Sequence, residues 1–543
     1  MVWTDPPIKT NGVDNVSKAD CNTYIKANLE FLRAMPSAKI EGTTDTTVAT
    51  GSATVIDYSS TTETWDSDSL HDTSIDHLDM ADVNGGNWLA GATVYYDENT
   101  TGDRRLGVIG RVGTTDLSRI RTITNEDRKV RMSASTVATF TTANDGVQTQ
   151  AFQTSGGNLD ARGDMWGQFL GDESTASSTV ALQHTALDED VGVTNWWSNW
   201  RSNAFRLYRR PMAKITKTSA QSVSDNTATS VTFGSSSIDT AGMVNVGNDN
   251  IDATYDGYYY CTTCVGLQSY NGTSDYVTVQ FRVNASTFGI DTASYEVNSG
   301  SSYVVHEDVI RLTAGDTLDV IITKGTTGGS TSLVTGTEVH LSATLMSGDI
   351  SSTLVPEREF FTDGLPDLSG FGFDDPDSTF LPRGLANLYT RDVFAHLWNP
   401  PVLSLQAETA GNALQGQGWT DIRLDVTRYD NWSILDSLKT QGGVKLPWDG
   451  VFLVVGTGDY LADDSSGATG DRGLRIKHGS KNVSPVRTAS ATSSGAGWAR
   501  STSGLINGTK DDVITLQGLS SAGDEVTVQS ALLHVIPIRD KVT

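Results

Sequence analysis

Residues 257–265 read Gly257-Tyr258-Tyr259-Tyr260-Cys261-Thr262-Thr263-Cys264-Val265. Successive side chains of a β-strand point to opposite faces, so Tyr258 and Tyr260 lie on one face and Tyr259 lies on the other. Neither face is polar enough for contact with water, and we therefore expect both to be buried. One face would pack inside a two-sheet sandwich, and the other would meet another subunit or domain.

This strand belongs to a motif that occurs three times. Each copy has a glycine that leads into an aromatic or apolar strand, then a turn, then a strand whose apolar residues alternate with Arg or other polar groups. The copies are residues 86–97 with 103–108, 257–261 with 277–283, and 450–455 with 472–477. A repeat at this long spacing, with no helical pattern between the copies, predicts serial β-domains rather than one large enzyme fold.

The chain of 543 residues is too long for a single core, which agrees with several domains. We predict an all-β protein of tandem antiparallel sandwiches with a short N-terminal α-helix. The predicted divisions are an N-terminal extended segment and docking helix at 1–36, modules at 37–213, 214–348 and 401–543, and a Pro-containing linker or adapter at 349–400.

The N-terminal helix is predicted over residues 17–34. Ser17 is a suitable N-cap, Ile25, Leu29 and Leu32 recur at helical spacing, and Pro36 ends the pattern. A helix of this length is not stable alone, so its apolar side needs a partner. That partner would be further copies of the helix or a docking surface.

The charge balance restricts the partners. With 39 Lys and Arg against 65 Asp and Glu, the formal net charge is -26, which disfavours nucleic acid and anionic lipid. Such a surface is typical of halophilic proteins, although an ordinary acidic secreted or virion surface has the same balance. No apolar stretch approaches the roughly 20 residues of a membrane span, so we expect no membrane insertion.

The second module carries a further signal, the turn Thr313-Ala314-Gly315-Asp316 before the strand 317–320. An aromatic strand after Gly, an alternating strand with Arg, and a Gly-Asp turn before a final apolar hairpin resemble the jelly roll of the tumour-necrosis-factor and complement-globular-head family. The resemblance is best over the second module, less over the third and loosest over the first. It implies tandem jelly rolls in a homotrimer, with Tyr258, Tyr259 and Tyr260 at the trimer interface or in the core.

The N-terminal segment resembles the opening of many tailed-phage virion proteins, where an early Trp precedes a helix that ends in Asn-Leu. The matching positions are Val16, Ala19-Asp20, Asn22-Thr23-Tyr24-Ile25 and Asn28-Leu29, whereas Cys21 and Ala27 depart from the usual residues. Together with the jelly rolls, this implies a virion structural protein: a homotrimeric tail fibre, spike or capsid decoration. Ile25, Leu29 and Leu32 would dock it to other virion proteins.

Residues that could carry chemistry are few. His71 and His77 lie among acidic residues, and the acidic loops 248–252 and 459–464 could hold structural calcium or magnesium. Their spacing matches no defined motif, so a hydrated acidic surface is favoured. We therefore predict no cofactor and no enzymatic activity.

The aromatic cluster Trp196, Trp197 and Trp200 suits stacking on sugars or contact with a host protein. Aromatic residues are equally typical of subunit and module interfaces, which is the favoured interpretation.

Three functional hypotheses follow. The leading one is multivalent display on a virion, with a host surface protein or glycan as an open further partner. The competing one is a secreted glycan-binding or glycan-degrading protein whose cleft contains Trp196 to Trp200 and nearby carboxylates. The third is a decoration that reinforces the shell and binds no receptor.

Overall fold

The computed structural model describes residues 28, 31–32, 35–59, 61–67, 69–71, 76–80, 85–99, 102–112, 115–123, 128–142, 145–171, 191–192, 200, 207, 210–270, 275–287, 293–297, 300–325, 331–348, 380–381, 397, 400–407, 412–414, 418–431, 435–440, 442–461, 471–489, 498–520 and 526–540. Among these residues, no helix combines the length and the apolar character needed to span a bilayer.

The first module is a sandwich of two antiparallel sheets. Its strands are β1 (Ser37–Gly42), β2 (Thr46–Val48), β3 (Ala53–Val55), β4 (Thr61–Asp66), β5 (Leu78–Asp79), β6 (Gly86–Asn99), β7 (Asp103–Gly110), β8 (Asp116–Ile123), β9 (Arg128–Phe140), β10 (Gly146–Gln153) and β11 (Leu159–Gly171). One sheet, which we call the inner sheet because it faces the other two modules, has the order β4-β1-β11-β6-β9. The opposite sheet of the sandwich, which we call the outer sheet, has the order β3-β10-β7-β8. The short strand β12 (Val191–Gly192) follows.

The second module repeats this plan. Its strands are β13 (Met212–Lys217), β14 (Ser222–Val223), β15 (Thr229–Ser230), β16 (Ser235–Asp239), β17 (Val244–Asn245), β18 (Asn250–Asp252), β19 (Gly257–Tyr270), β20 (Asp275–Val283), β21 (Ser286–Thr287), β22 (Ala293–Val297), β23 (Gly300–Leu312), β24 (Thr317–Lys324), β25 (Thr331–Ser332) and β26 (Gly336–Gly348), with a 3₁₀ turn at Val246–Asn248. The inner sheet is β16-β13-β26-β19-β23, and the outer sheet is β17-β18-β24-β20-β21, with β22 paired to β20.

The third module has the same arrangement. After β27 (Phe380–Leu381), its elements are β28 (Leu403–Gln406), β29 (Asn412–Leu414), β30 (Trp419–Asp421), β31 (Val426–Asp430), α1 (Leu435–Leu438), β32 (Lys439–Thr440), β33 (Gly443–Lys445), β34 (Gly450–Leu461), β35 (Asp471–His478), β36 (Lys481–Ala489), β37 (Trp498–Gly508), β38 (Val513–Ser520) and β39 (Val526–Asp540). The inner sheet is β31-β28-β39-β34-β37, and the outer sheet is β32-β33-β38-β35-β36.

The three inner sheets therefore share one strand order. In each, the first strand of the module lies beside the last strand, which pairs with the glycine-led strand, which in turn pairs with an edge strand: β1-β11-β6-β9, β13-β26-β19-β23 and β28-β39-β34-β37. These pairings are antiparallel. The predicted all-β fold of tandem antiparallel jelly-roll sandwiches is confirmed.

The repeated sequence motif corresponds to a repeated structural unit. Its glycine-led strands are β6, β19 and β34 of the inner sheets, and its alternating strands are β7, β20 and β35 of the outer sheets. Gly257 shows why glycine leads such a strand. Its φ is 158°, and a Cβ atom there would stand 2.3 Å from the Ser347 carbonyl oxygen, so any other residue would clash.

Helical backbone precedes each module. Leu32, Leu207 and Leu397 are helical, and each stands four residues before a proline. Leu32 and Leu207 belong to the core that the first two modules share, and Leu397 packs against it. The segment predicted as a linker at 349–400 thus ends in the same way as the N-terminal segment. The second module also begins earlier than predicted, because β13 starts at Met212 and pairs with the last strand of that module.

Candidate functional site: the axis between the modules

The three inner sheets face one another across buried apolar side chains, which we call the axial cluster. The cluster contains matching positions of all three modules. They are Leu89 with its cross-strand partner Val137, Tyr260 with Val309, and Leu453 with Leu505. Each first-named residue stands three positions after the leading glycine of its strand. Because matching positions meet at one level, the modules surround a pseudo-threefold axis within a single chain.

The modules contact one another head to tail. Strand β8 of the first module packs on β23 and β26 of the second, β22 of the second packs on β37 of the third, and β36 of the third pairs with β9 of the first. Each contact places the edge strand of an outer sheet against the edge strand of the next inner sheet, and β8 also reaches the central strand β26. Head-to-tail contacts that close on themselves form a ring. One chain therefore builds a closed ring of three modules.

A polar layer crosses the axis beside the axial cluster. Ser135, Glu307 and Ser503 occupy matching positions, two residues before the edge-strand members of the axial cluster. Ser135 Oγ donates to Glu307 Oε1 at 2.5 Å and lies 2.7 Å from the Tyr260 hydroxyl, which donates to Ser503 Oγ at 3.2 Å. Burial raises the pKa of Glu307, and the nearby hydroxyls of Ser135, Ser503 and Tyr260 oppose that shift.

The contact between the second and third modules contains a buried carboxylate, Asp308, which faces a histidine and an arginine. Asp308 Oδ1 lies 2.9 Å from His534 Nε2, and Arg428 Nη1 lies 3.9 Å from Asp308 Oδ2. Burial alone would raise the pKa of Asp308, but the hydrogen bond from His534 and the charge of Arg428 lower it overall. Burial lowers the pKa of His534, so at pH 7 a neutral imidazole faces the Asp308 carboxylate and Arg428 supplies the positive charge. Removing one of the three groups leaves buried polar atoms unpaired, so this contact depends on all of them.

Lysine amines reach across the other two contacts. Lys214 Nζ of the second module donates to Thr136 Oγ1 at 2.8 Å and to the Val137 carbonyl at 2.9 Å in the first module. Lys39 Nζ lies 3.5 Å from the Val483 carbonyl of the third module. Burial lowers the pKa of Lys214 to about 7. Two of the three contacts thus use a buried lysine, and the third uses Asp308 with His534 and Arg428.

Comparison with known proteins adds the following. No protein-family model matches the sequence, and no curated protein matches it. The globular domain of zebrafish complement 1qA is similar to 26% of this chain over 99% of its own length, with 17% identity and a TM-score of 0.20. Murine APRIL is similar to 25% of the chain over 98% of its length, with 14% identity and a TM-score of 0.20. Eiger TNF from S. frugiperda is similar to 27% over 99%, with 14% identity and a TM-score of 0.21. These are domains of the C1q and TNF type, and each spans about a quarter of the chain.

The Tyr strand is buried on both faces, as predicted. Tyr259 lies in the sandwich core, whereas Tyr258 and Tyr260 belong to the axial cluster. The Tyr258 ring packs edge-on against Tyr429 of the third module, with 5.1 Å between the ring centroids. The covering surface is thus supplied by other modules of the same chain, not by sister copies. The two-sided burial of this strand therefore does not require a homotrimer.

Two other predicted site residues are buried. Leu32, predicted to dock the N-terminal helix to the particle, is 3% exposed and lies in the core, so its side chain is not on a docking surface. Trp200 is 0% exposed in the same core and cannot stack on a sugar or touch a receptor; it serves packing. The remaining predicted residues, Ile25, Leu29, Trp196 and Trp197, lie outside the described part of the chain.

The acidic loops were the predicted places for structural calcium or magnesium. Within the described residues, no group of three or more His, Cys, Asp or Glu side chains is arranged to hold a metal. In the first loop, Asp249 Oδ1 accepts the Phe233 N–H at 2.7 Å, and Asp252 Oδ2 accepts Asn245 Nδ2–H at 3.0 Å. These carboxylates therefore stabilise their own loops. Residues 462–464 of the second loop lie outside the described residues.

The sequence patterns did not predict the polar residues on the axis, Ser135, Glu307 and Ser503. Their signal is the adjacent pair Glu307-Asp308 within the otherwise mostly apolar stretch 303–310 of β23. Two consecutive charged residues cannot both face water in a strand whose neighbours are apolar, so at least one must have a buried partner.

Proposed function

We propose that this chain is a non-enzymatic structural protein of a tailed-virus particle, in which three fused jelly-roll modules form one head displayed on the particle surface. The observation that carries the proposal is the closed ring. The central strands of its inner sheets are buried in mutual packing, which suits a rigid display element. The resemblance of the N-terminal segment to tailed-phage virion proteins supports the virion location.

The segments that connect consecutive modules, which we call the junctions, indicate which end of the head faces the particle. The last strand of each module ends beside the start of its glycine-led strand, as shown by the pairs Gly171 with Asn87, Gly348 with Gly257, and Asp540 with Gly450. The first strands also begin at that end, and matching positions share one level along the axis. The N-terminal segment and both junctions therefore attach at one end of the ring. The junctions also meet through the pairing of β12 with β27. We infer that this end faces the particle and that the opposite end faces the host.

The location can be tested on particles. Antibodies raised against the purified chain should label the surface of virus particles from cultures of the source organism in immunogold electron microscopy. A second arm uses the chain without residues 1–27, which leaves the described residues intact. It should keep the head folded by circular dichroism and lose binding to particles. Label found only on free protein or on cells would contradict the virion location.

The oligomeric state separates a one-chain head from a homotrimer of whole chains. The inner sheets are already covered within one chain, so a homotrimer would have to use other surfaces. We expect light scattering after size-exclusion chromatography to give the mass of one chain, 58.1 kDa. Three times that mass would show that the chain also trimerises, as the family resemblance implies.

A further inference from the structure

Glu307 is a carboxylate on the pseudo-threefold axis that is 1% exposed. Its Oε1 accepts a hydrogen bond from Ser135. Its Oε2 is buried and has no hydrogen-bond partner among the described residues, and the same holds for the hydroxyl of Thr262, which stands directly opposite Glu307 on the neighbouring strand. These two unpaired atoms belong to cross-strand partners beside the axis, where a carboxylate oxygen and a hydroxyl together can complete the shell of a bound group.

The cationic side chains of the interface are engaged elsewhere. Lys214 donates to Thr136 and Val137, and Arg428 and His534 face Asp308. The groups that lower the pKa of Glu307 are hydroxyl and backbone hydrogen-bond donors and include no charged side chain. An ionised carboxylate in a dry interior is very costly unless a positive charge accompanies it.

The oxygens around Glu307 come from all three modules. Ser135 Oγ belongs to the first module, the Tyr260 hydroxyl to the second and Ser503 Oγ to the third, and they form one connected chain of contacts with the carboxylate. A set of ligands made only of oxygen atoms suits hard cations. The single carboxylate balances one positive charge, whereas a divalent ion would leave a net charge in the interior.

We propose that Glu307, Ser135 and Ser503 form a binding site for an alkali-metal cation, Na⁺ or K⁺, on the pseudo-threefold axis. The ligands come together only when the ring is closed. The cation therefore binds the closed ring in preference to separated modules, and it stabilises the ring by mass action. This inference is independent of the virion proposal, because it concerns the axis alone.

Crystals of the intact chain grown or soaked in RbCl test the site directly, because rubidium replaces potassium and scatters anomalously. We expect an anomalous difference peak on the axis, bounded by Glu307, Ser135 and Ser503. Absence of a peak from crystals in RbCl, and of sodium-like density in crystals from NaCl, would overturn the proposal. This measurement needs no variant, so it does not depend on the folding of a mutant.

A solution test compares melting temperatures at equal ionic strength in NaCl, KCl and tetramethylammonium chloride, whose cation is too large for the site. The wild-type chain should melt about 2 °C higher in NaCl or KCl when the cation is near 100 times its dissociation constant. Glu307→Gln should lose this difference. The control Asp160→Asn, which removes an exposed carboxylate of the first module, should keep it.

Two solution results would contradict the cation site. The first is an equal melting temperature of the wild type in all three salts. The second is a Glu307→Gln variant that keeps the wild-type difference between the salts, or that melts at or above the wild type in every salt. The last outcome would mean that Glu307 is a buried neutral acid that glutamine replaces without loss.

Discussion

The packing of the modules around the axis predicts a large effect for Leu453→Ala. Leu453 is 0% exposed and belongs to the axial cluster, where it meets the other modules and not the core of its own sandwich. Burial of a leucine side chain contributes about 1.5–3 kcal/mol, and the cavity left behind adds to the loss. We therefore expect the free energy of unfolding to fall by about 2–5 kcal/mol. On an inner sheet that faced water, the same change would cost no more than about 0.5 kcal/mol.

The assay is urea unfolding of the full chain, followed by tryptophan fluorescence and circular dichroism. Val454→Ala, which faces the core of the third module, serves as a positive control for the loss of a buried side chain. Val426→Ala, at a position that is 42% exposed, serves as the surface control and should change the free energy by less than about 0.5 kcal/mol. If Leu453→Ala behaves like Val426→Ala, the modules do not pack through their inner sheets and the ring is wrong.

Three further predictions concern charged residues. Asp308→Asn should cost about 1–3 kcal/mol at pH 7, because His534 and Arg428 lose the buried carboxylate that they face; urea unfolding measures this, and a loss below about 0.5 kcal/mol would contradict the buried contact. Burial raises the pKa of Asp164 to about 6, above the value of about 3.9 in unfolded chains. The folded state thus favours the neutral acid, so this contribution to stability is complete below about pH 4 and is lost as the pH rises through 6. Asp164→Asn should remove that decline, roughly 2–3 kcal/mol, from urea midpoints measured between pH 4 and pH 7, whereas an unchanged pH dependence would refute it. Arg282→Ala should cost at most about 1 kcal/mol in the same assay, since its pair with Asp319 is partly exposed on the outer sheet; a loss above about 2 kcal/mol would show that the pair is buried by a partner.

Local patterns in the sequence were sufficient for the strands and for the plan of each module. The alternation in Val277, Val279 and Phe281 correctly identified the buried face of β20, and the outward Arg282 pairs with Asp319 on the other face. The faces of the Tyr strand were also correct. Such predictions succeed because the alternation of side chains along a strand is a property of the backbone itself.

Alternation alone is not sufficient where a polar residue faces another module. In β26, the alternate residues His340, Ser342 and Thr344 have the pattern of a strand that faces water, yet they are at most 1% exposed. They are buried because the inner sheets of the three modules meet at the axis. The sequence of β26 does not indicate that contact, because its partners lie in other modules, such as Thr136 beside His340.

The amino-acid sequence alone determined that the chain is all-β, that it repeats a glycine-led strand three times, and that the strand at 257–265 is dry on both faces. Only the tertiary structure decided what covers the second face. A sister chain and a sister module offer the same apolar surface, so the composition of the strand cannot distinguish them. The choice depends on whether the junctions between modules allow three sandwiches of one chain to close a ring, which is a geometric property of the whole chain.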